Sequence, residues 1–157
     1  MTIYNNKDFG SITVNWGSIY SGKTEELLRQ LRRAGFGGKK YQLFKPSKDD
    51  RYSQTEATTH YGFGLEAIVV KDSEELFSRV DKDTHVVGID EGQFFDIGLV
   101  NVCQLLKREY HVDVIVSGLD MKFNGEPFDV MKELAAISND SKKFQAVCVQ
   151  CGNDAYV

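Results

Sequence analysis

Apolar residues along the chain follow two different spacings. Residues 11–16 alternate apolar and polar side chains, as in a strand, whereas Leu27, Leu28 and Leu31 recur at helical intervals. The alternation of strand and helix predicts an α/β domain in which helices flank a parallel sheet. The predicted strands cover 11–16, 40–45, 65–70, 84–91, 112–120 and 144–149, and the predicted helices cover 25–34, 74–80, 97–110 and 131–137.

One stretch shows neither spacing. Residues 47–64 are mostly polar, and we expect them to form a long, partly mobile excursion from the sheet. The rest of the chain contains no internal repeat and no linker. A length of 157 residues suits a single compact domain.

A glycine-rich segment joins the first predicted strand to the first predicted helix and fits the pattern G-x-x-x-x-G-K-[ST]. Such a loop turns its backbone N–H groups inward around phosphate, its lysine neutralises β/γ-phosphate charge, and its final hydroxyl meets Mg²⁺. An ordinary glycine turn is the alternative, but the strand and helix on either side favour phosphate binding. The segment consists of Gly17, Ser18, Ile19, Tyr20, Ser21, Gly22, Lys23 and Thr24.

Two carboxylates end the nearly all-apolar strand predicted over 84–91. A buried central strand of a parallel sheet brings its last residues to the edge where ligands bind. Asp90 there is a candidate to hold Mg²⁺ through water, and Glu91, which points differently, is free to act as a base. Adjacent acids mean little alone, but beside a phosphate loop they favour a functional role.

Aromatic residues follow the strands at the same edge. Phe94 comes soon after the two acids, and composition alone does not decide whether it stacks on a nucleobase or caps the core. Phe123 and Phe128 flank a predicted turn near the end of the next strand. Cys103 lies on the apolar side of a helix, which favours packing over nucleophilic chemistry.

The cysteines and the net charge indicate which metals, nucleic acids or membranes the protein could bind. Cys148 and Cys151 form a C-x-x-C pair that suggests metal binding, since a disulfide framework is not expected in a reducing compartment. The net charge of -4 argues against duplex nucleic acid as a partner. No apolar run approaches the roughly 20 residues that cross a bilayer, and the first residues lack a signal peptide's apolar centre. These features predict a cytoplasmic protein with no membrane partner.

The order of these motifs resembles that of cellular-type (type II) thymidine kinases. The resemblance rests on the phosphate loop, the sequence D-E-G-Q-F-F over 90–95, Leu119-Asp120 with the aromatic turn after it, and Cys148-x-x-Cys151. It implies a RecA-like P-loop fold and transfer of the ATP γ-phosphoryl group to the 5′-hydroxyl of thymidine or deoxyuridine. The product would be the monophosphate, salvaged for DNA precursors.

The resemblance also implies roles for individual residues. Thr24 and Asp90 would hold Mg²⁺, and Glu91 would accept the proton of the 5′-hydroxyl. The residues around ATP and its magnesium would be the phosphate loop with Asp49, Arg51, Asp90, Glu91, Gly92 and Gln93. Phe94 would stack on the pyrimidine, and the residues enclosing it would be Ile19, Leu119, Phe123 and Phe128. Feedback inhibition by dTTP and a homotetramer are further implications.

The family continues beyond its first C-x-x-C pair into a lasso loop with two more zinc ligands, whereas this sequence stops at Val157. A structural Zn²⁺ needs about four ligands, so we expect weak zinc binding at most. The predicted division is a kinase domain over 1–147 and an incomplete zinc ribbon over 148–157. We therefore expect ATP binding but poor thymidine phosphorylation from this chain alone. The alternatives are another ATPase or nucleotide kinase and a nucleotide-binding remnant.

Overall fold

The fold is built around one large sheet. The computed structural model describes residues 9–47, 58–61 and 65–155 of the 157-residue chain. Seven strands form this sheet: β1 (Ile12–Gly17), β2 (Tyr41–Pro46), β3 (Thr58–Tyr61), β4 (Leu65–Val70), β5 (Val86–Ile89), β6 (Asp113–Leu119) and β7 (Asp140–Phe144). Their order is β3-β4-β2-β5-β6-β1-β7, with β3 antiparallel to β4 and the other six strands parallel. The α/β prediction is confirmed.

In the described part of the chain, four helices connect the strands and cover the sheet. They are α1 (Lys23–Phe36), α2 (Ser73–Arg79), α3 (Gly98–Arg108) and α4 (Asp129–Ile137), and a 3₁₀ turn, Gly92–Phe94, follows β5. Asp72 caps α2 by accepting a hydrogen bond from the backbone N–H of Glu75 at 2.8 Å.

Each face of the sheet carries its own apolar core. Leu27 and Leu31 of α1 pack on one face against Leu43, Ala67 and Val86. The larger core lies on the other face, beneath α2, α3 and α4, and is built around Ile12, Val14, Phe44, Ile89, Leu99, Leu106, Val114, Val116, Met131 and Leu134. Burial on both sides explains why the central strands have so few exposed polar residues.

The parallel register brings the ends of the central strands together. Gly17, the last residue of β1, lies opposite Leu119 in β6 and Phe144 in β7. Asp90 directly follows β5 and donates its backbone N–H to the carbonyl of Phe44 in β2 at 2.9 Å. The phosphate loop and the two carboxylates therefore share one edge of the sheet, as predicted.

Several predicted elements differ from the structure, and three of the differences are instructive. The strand predicted over 144–149 is misplaced, because the last strand of the sheet is β7, which lies beside β1 and ends at Phe144. Within the predicted range, β8 (Ala146–Val147) pairs instead with β9 (Asp154–Ala155) in a separate hairpin. The excursion predicted over 47–64 contains strand β3, which pairs with β4. The sequence did not predict this strand because its residues are mostly polar. Helix α3 is also shorter than its pattern suggested.

Burial tests a smaller expectation about a cysteine. Cys103 is fully buried in the larger core, as expected of a packing residue. Burial away from water raises the pKa of its thiol to about 12. Within the described parts of the chain, no helix is long and apolar enough to cross a membrane.

Candidate active site

The phosphate loop takes its shape from residues in the left-handed backbone region. Gly22, which caps α1, has φ 87°, and Tyr20 has φ 59°. Gly17 is needed for another reason, because a Cβ there would lie 2.1 Å from the carbonyl oxygen of Phe144 in the paired strand. The loop thus curls between β1 and the positive end of α1, which is the geometry of an anion nest.

Lys23 begins α1 and lies inside the loop. Its side chain is buried, and its Nζ donates to the carbonyl oxygen of Ser18 at 3.2 Å. A buried ammonium group directed into a curled backbone is suited to bind the oxygens of a polyphosphate.

Thr24 and Asp90 form the second part of the site. The hydroxyl of Thr24 donates to Asp90 Oδ1 at 3.2 Å, and the Asp90 side chain is almost fully buried. The same carboxylate accepts the backbone N–H of Glu91 at Oδ1, 2.9 Å away, and the hydroxyl of Tyr61 at Oδ2, 2.6 Å away. A hydroxyl and a carboxylate at this spacing are hard oxygen ligands of the kind Mg²⁺ prefers, so these residues fit that ion.

Glu91 has a strained backbone and a fixed side chain. Its φ is 53°, a left-handed conformation that costs a residue with a Cβ roughly 1–2 kcal/mol. Its Oε2 accepts the amide Nε2 of Gln93 at 2.6 Å, and Gln93 Oε1 in turn accepts the N–H of Leu119 at 3.0 Å. The end of β6 therefore orients the carboxylate through a buried glutamine.

Two glycines make room for this arrangement. A Cβ on Gly118 would lie 2.8 Å from Gln93 Oε1, and one on Gly92 would lie 2.7 Å from a methyl group of Val116. Close packing here leaves Gln93 little freedom to move. Gln93 was predicted among the nucleotide-binding residues. Its observed contacts are with Glu91 and Leu119, and only the tertiary structure could show them.

The residues predicted to enclose a pyrimidine lie mainly at the surface. Ile19 is 51% exposed, Phe94 is 38% exposed and Phe123 is 94% exposed. Leu119 and Phe128 are partly buried, and the ammonium group of Lys122 lies 5.9 Å from the centre of the Phe128 ring. The structure thus places these apolar groups near the ends of β1, β5 and β6 without forming a closed wall from them.

Asp120 and Lys143 form an ion pair that sequence reasoning missed. Asp120 is buried at the end of β6, and Lys143 Nζ in β7 lies 3.2 Å from its Oδ2 and 5.8 Å from the centre of the Trp16 ring. The pair spans the strands on both sides of β1 and thereby braces the start of the phosphate loop. Its signal was the acid directly after an apolar strand, the same signal that identified Asp90.

The cysteine pair lies in the small hairpin of β8 and β9. N–H groups of Cys151 and Gln150, together with the Cys151 thiol, hold the pKa of Cys148 below its ordinary value. Two thiols so arranged fit half of a tetrahedral zinc site. Among the described residues, no group of three or more His, Cys, Asp or Glu side chains could hold a metal ion.

Ser18 connects this hairpin to the phosphate loop. Its buried hydroxyl accepts the N–H of Ala146 in β8 and donates to the carbonyl oxygen of Ala155 in β9, each at 3.2 Å. The hairpin therefore docks on the second residue of the loop. The predicted contacts of Asp49 and Arg51 lie outside the described residues.

Comparison with protein families agrees with this geometry. The family model described as thymidine kinase matches residues 10–157, which include every element of the site. The chain belongs to the thymidine kinase family. This is a family of kinases whose substrates are a nucleoside and ATP with Mg²⁺. Family membership accounts for the phosphate loop and the two acids at one edge of the sheet.

Proposed function

We propose that this chain transfers the γ-phosphoryl group of ATP to the 5′-hydroxyl of thymidine or deoxyuridine. The observation that carries the proposal is the meeting of Lys23, Thr24, Asp90 and Glu91 at one edge of the sheet, in a chain that the thymidine kinase family matches over residues 10–157. Phosphoryl transfer depends mainly on positioning and charge neutralisation, and these residues supply both.

The phosphate loop would hold the β- and γ-phosphates. Backbone N–H groups from Gly17 to Thr24 surround them, and Lys23 moves from the Ser18 carbonyl to phosphate oxygens as negative charge enters. When bound, Mg²⁺ neutralises charge on the phosphates, and Thr24 and Asp90 would hold it. Asp49 and Arg51 are proposed to contact this end of the nucleotide.

Glu91 would accept the proton of the attacking hydroxyl. A new bond forms between the 5′-oxygen and the γ-phosphorus, the bond from that phosphorus to the β,γ-bridging oxygen breaks, and ADP leaves. Gln93 holds the Glu91 carboxylate through a 2.6 Å hydrogen bond, so the base needs no reorientation before it acts.

The nucleoside base would lie against the apolar groups beside the phosphates. Phe94 is the candidate for stacking, because it follows Glu91 by three residues and is part-exposed at the same edge. Ile19, Leu119, Phe123 and Phe128 would enclose the base and the 5-methyl group. Since Phe123 is almost fully exposed, this wall would have to close around the substrate.

Family membership supports further proposals about assembly and regulation. We propose a homotetramer inhibited by dTTP, acting in the cytoplasm, with Cys148 and Cys151 as two of the ligands of a structural Zn²⁺. Sedimentation, inhibition by dTTP and zinc content of the purified protein test these points separately.

Release of ADP under three conditions tests the proposed reaction. We expect release to require thymidine, to be small with deoxycytidine and to be negligible without an acceptor. Equal release without a nucleoside would indicate an ATPase. If the protein binds ATP but releases no ADP under any of the three conditions, it is a nucleotide-binding protein without transfer activity.

A further inference from the structure

Tyr61 contacts the candidate magnesium ligand from the antiparallel strand of the sheet. Its hydroxyl donates to Asp90 Oδ2 at 2.6 Å, although the two residues are 29 positions apart. The aromatic ring is partly buried against the α1 core of Leu27, Leu31 and Leu43. The ring is therefore anchored by apolar packing while its polar end reaches the site.

The three hydrogen bonds to Asp90 are not equivalent. Oδ1 accepts the Thr24 hydroxyl at 3.2 Å and the Glu91 N–H at 2.9 Å, whereas Oδ2 accepts Tyr61 at 2.6 Å. A distance of 2.6 Å falls in the range of charge-assisted O–H···O⁻ bonds, which are about twice as strong as neutral ones. Tyr61 thus makes the shortest of the three contacts.

The arrangement separates two functions on one carboxylate. Thr24 and Oδ1 lie side by side and would both face the metal, so the bond between them must adjust when Mg²⁺ binds. The bond from Tyr61 to Oδ2 lies on the other oxygen and need not change. Donors behind a ligating carboxylate fix its orientation and support metal affinity.

We propose that Tyr61 is a positioning residue that orients Asp90 and so sets the affinity of the nucleotide complex for its divalent cation. The inference rests on the proposed function, because it assumes that Asp90 meets the cation bound with ATP. It adds a residue from β3, a strand that none of the sequence motifs of the site includes. Tyr61 itself does not touch the reacting atoms.

Tyr61→Phe tests the proposal, because it removes the hydroxyl and keeps the ring in the α1 core. Mn²⁺ is titrated into protein saturated with ADP, and the free ion is measured by electron paramagnetic resonance. We expect half-saturation to need about tenfold more Mn²⁺ than in the unmodified chain. The affinity for ADP without metal, measured by calorimetry, should stay within about twofold, because the phosphate loop is untouched.

Tyr41→Phe is the matched control. Tyr41 is another partly buried tyrosine packed on the same core, and its replacement should leave Mn²⁺ binding unchanged. In an Asp90→Asn background, Tyr61→Phe should add little further loss, because a residue that acts through Asp90 has nothing left to orient.

Several results would overturn the inference. Equal Mn²⁺ affinity in Tyr61→Phe and Tyr41→Phe would show that the hydroxyl does not affect the cation. A Tyr61→Phe chain that fails to fold, or loses metal-free ADP binding to the same extent, would show a role in the fold instead. An unmodified chain that binds no ADP at all would refute the proposed function, and this inference with it.

Discussion

The two sides of the candidate site are built to different degrees. On the phosphate side, Lys23, Asp90 and Gln93 are buried and hydrogen-bonded within the closely packed edge of the sheet. On the base side, Phe94 and Phe123 are exposed and belong to short segments after the strands. The groups proposed for phosphoryl transfer are thus preorganised, whereas the groups proposed for nucleoside recognition are not.

The contrast agrees with the role proposed for each side. Charge neutralisation depends on dipoles and charges fixed before the reaction begins, so it requires burial and packing. A base can instead be bound by apolar groups that close around it when it arrives, at a cost in ordering. We therefore expect changes on the phosphate side to reduce turnover and changes on the base side to weaken thymidine binding.

Glu91→Gln should have the largest effect. The glutamine keeps an oxygen that can accept the Gln93 amide, so the geometry survives while the proton acceptor is lost. Removal of a general base typically lowers the rate about 10²–10⁴-fold, and we expect that loss in kcat with ATP binding retained. Glu133→Gln on the exposed face of α4 is the control. Near-normal turnover in Glu91→Gln would contradict the assignment.

Lys23→Met should have the next largest effect. Methionine fills the buried space of the lysine stem but carries no charge toward the phosphates. The loss of a hydrogen bond to a charged group costs about 1.5–3 kcal/mol, so ATP affinity should fall roughly 10- to 150-fold. Calorimetry measures this, with Lys132→Met on exposed α4 as the control. Unchanged ATP binding would mean that phosphate does not enter the loop.

Phe94→Ala tests the base side and should act more weakly. Stacking of a base on an aromatic side chain is worth about 1–3 kcal/mol, and we expect the lower end because Phe94 is 38% exposed. The KM for thymidine should rise about fivefold while the KM for ATP stays constant. Phe36→Ala removes another exposed ring, 85% exposed at the end of α1 and away from the candidate site, and should change neither constant. An equal rise in both constants for Phe94→Ala would remove the distinction between the two sides.

Thiol labelling comes last because no change in activity is expected from it. It checks the burial on which the comparison of the two sides depends. In native protein freed of zinc with a chelator, iodoacetamide should modify Cys148 and Cys151, because both lie in the hairpin turn and the pKa of Cys148 is lowered. Cys103 should react only after unfolding, since it is fully buried and its thiol has a pKa of about 12. Mass spectrometry counts the labels, and detection of three labels on the native protein would contradict the burial of Cys103.

The phosphate side was predictable because its signals are local. Glycine and lysine spacing placed Lys23 and Thr24, and two acids after an apolar strand placed Asp90 beside them, as the 3.2 Å contact from Thr24 shows. The parallel topology explains why these motifs meet, because it brings the ends of β1, β5 and β6 to one edge of the sheet. Short motifs on adjacent strands therefore carry most of the information about this side.

The contacts that sequence reasoning missed join distant parts of the chain. Tyr61 reaches Asp90 from a strand hidden in a polar stretch, and Ser18 binds a hairpin more than 120 residues away. No spacing rule connects such residues, because their meeting depends on strand order and not on local periodicity. The misplacement of the strand predicted over 144–149 has the same origin, since β7 (Asp140–Phe144) pairs with β1 and β8 pairs with β9.

Transfer of radiolabel from [γ-³²P]ATP to thymidine tests the central claim most directly. Thymidine is compared with 5′-deoxythymidine, which presents the same base but lacks the hydroxyl that Glu91 would deprotonate. We predict labelled thymidine 5′-monophosphate from the first nucleoside and no labelled nucleotide from the second, with little inorganic phosphate in either case. Labelled inorganic phosphate released at the same rate with both nucleosides would contradict the account.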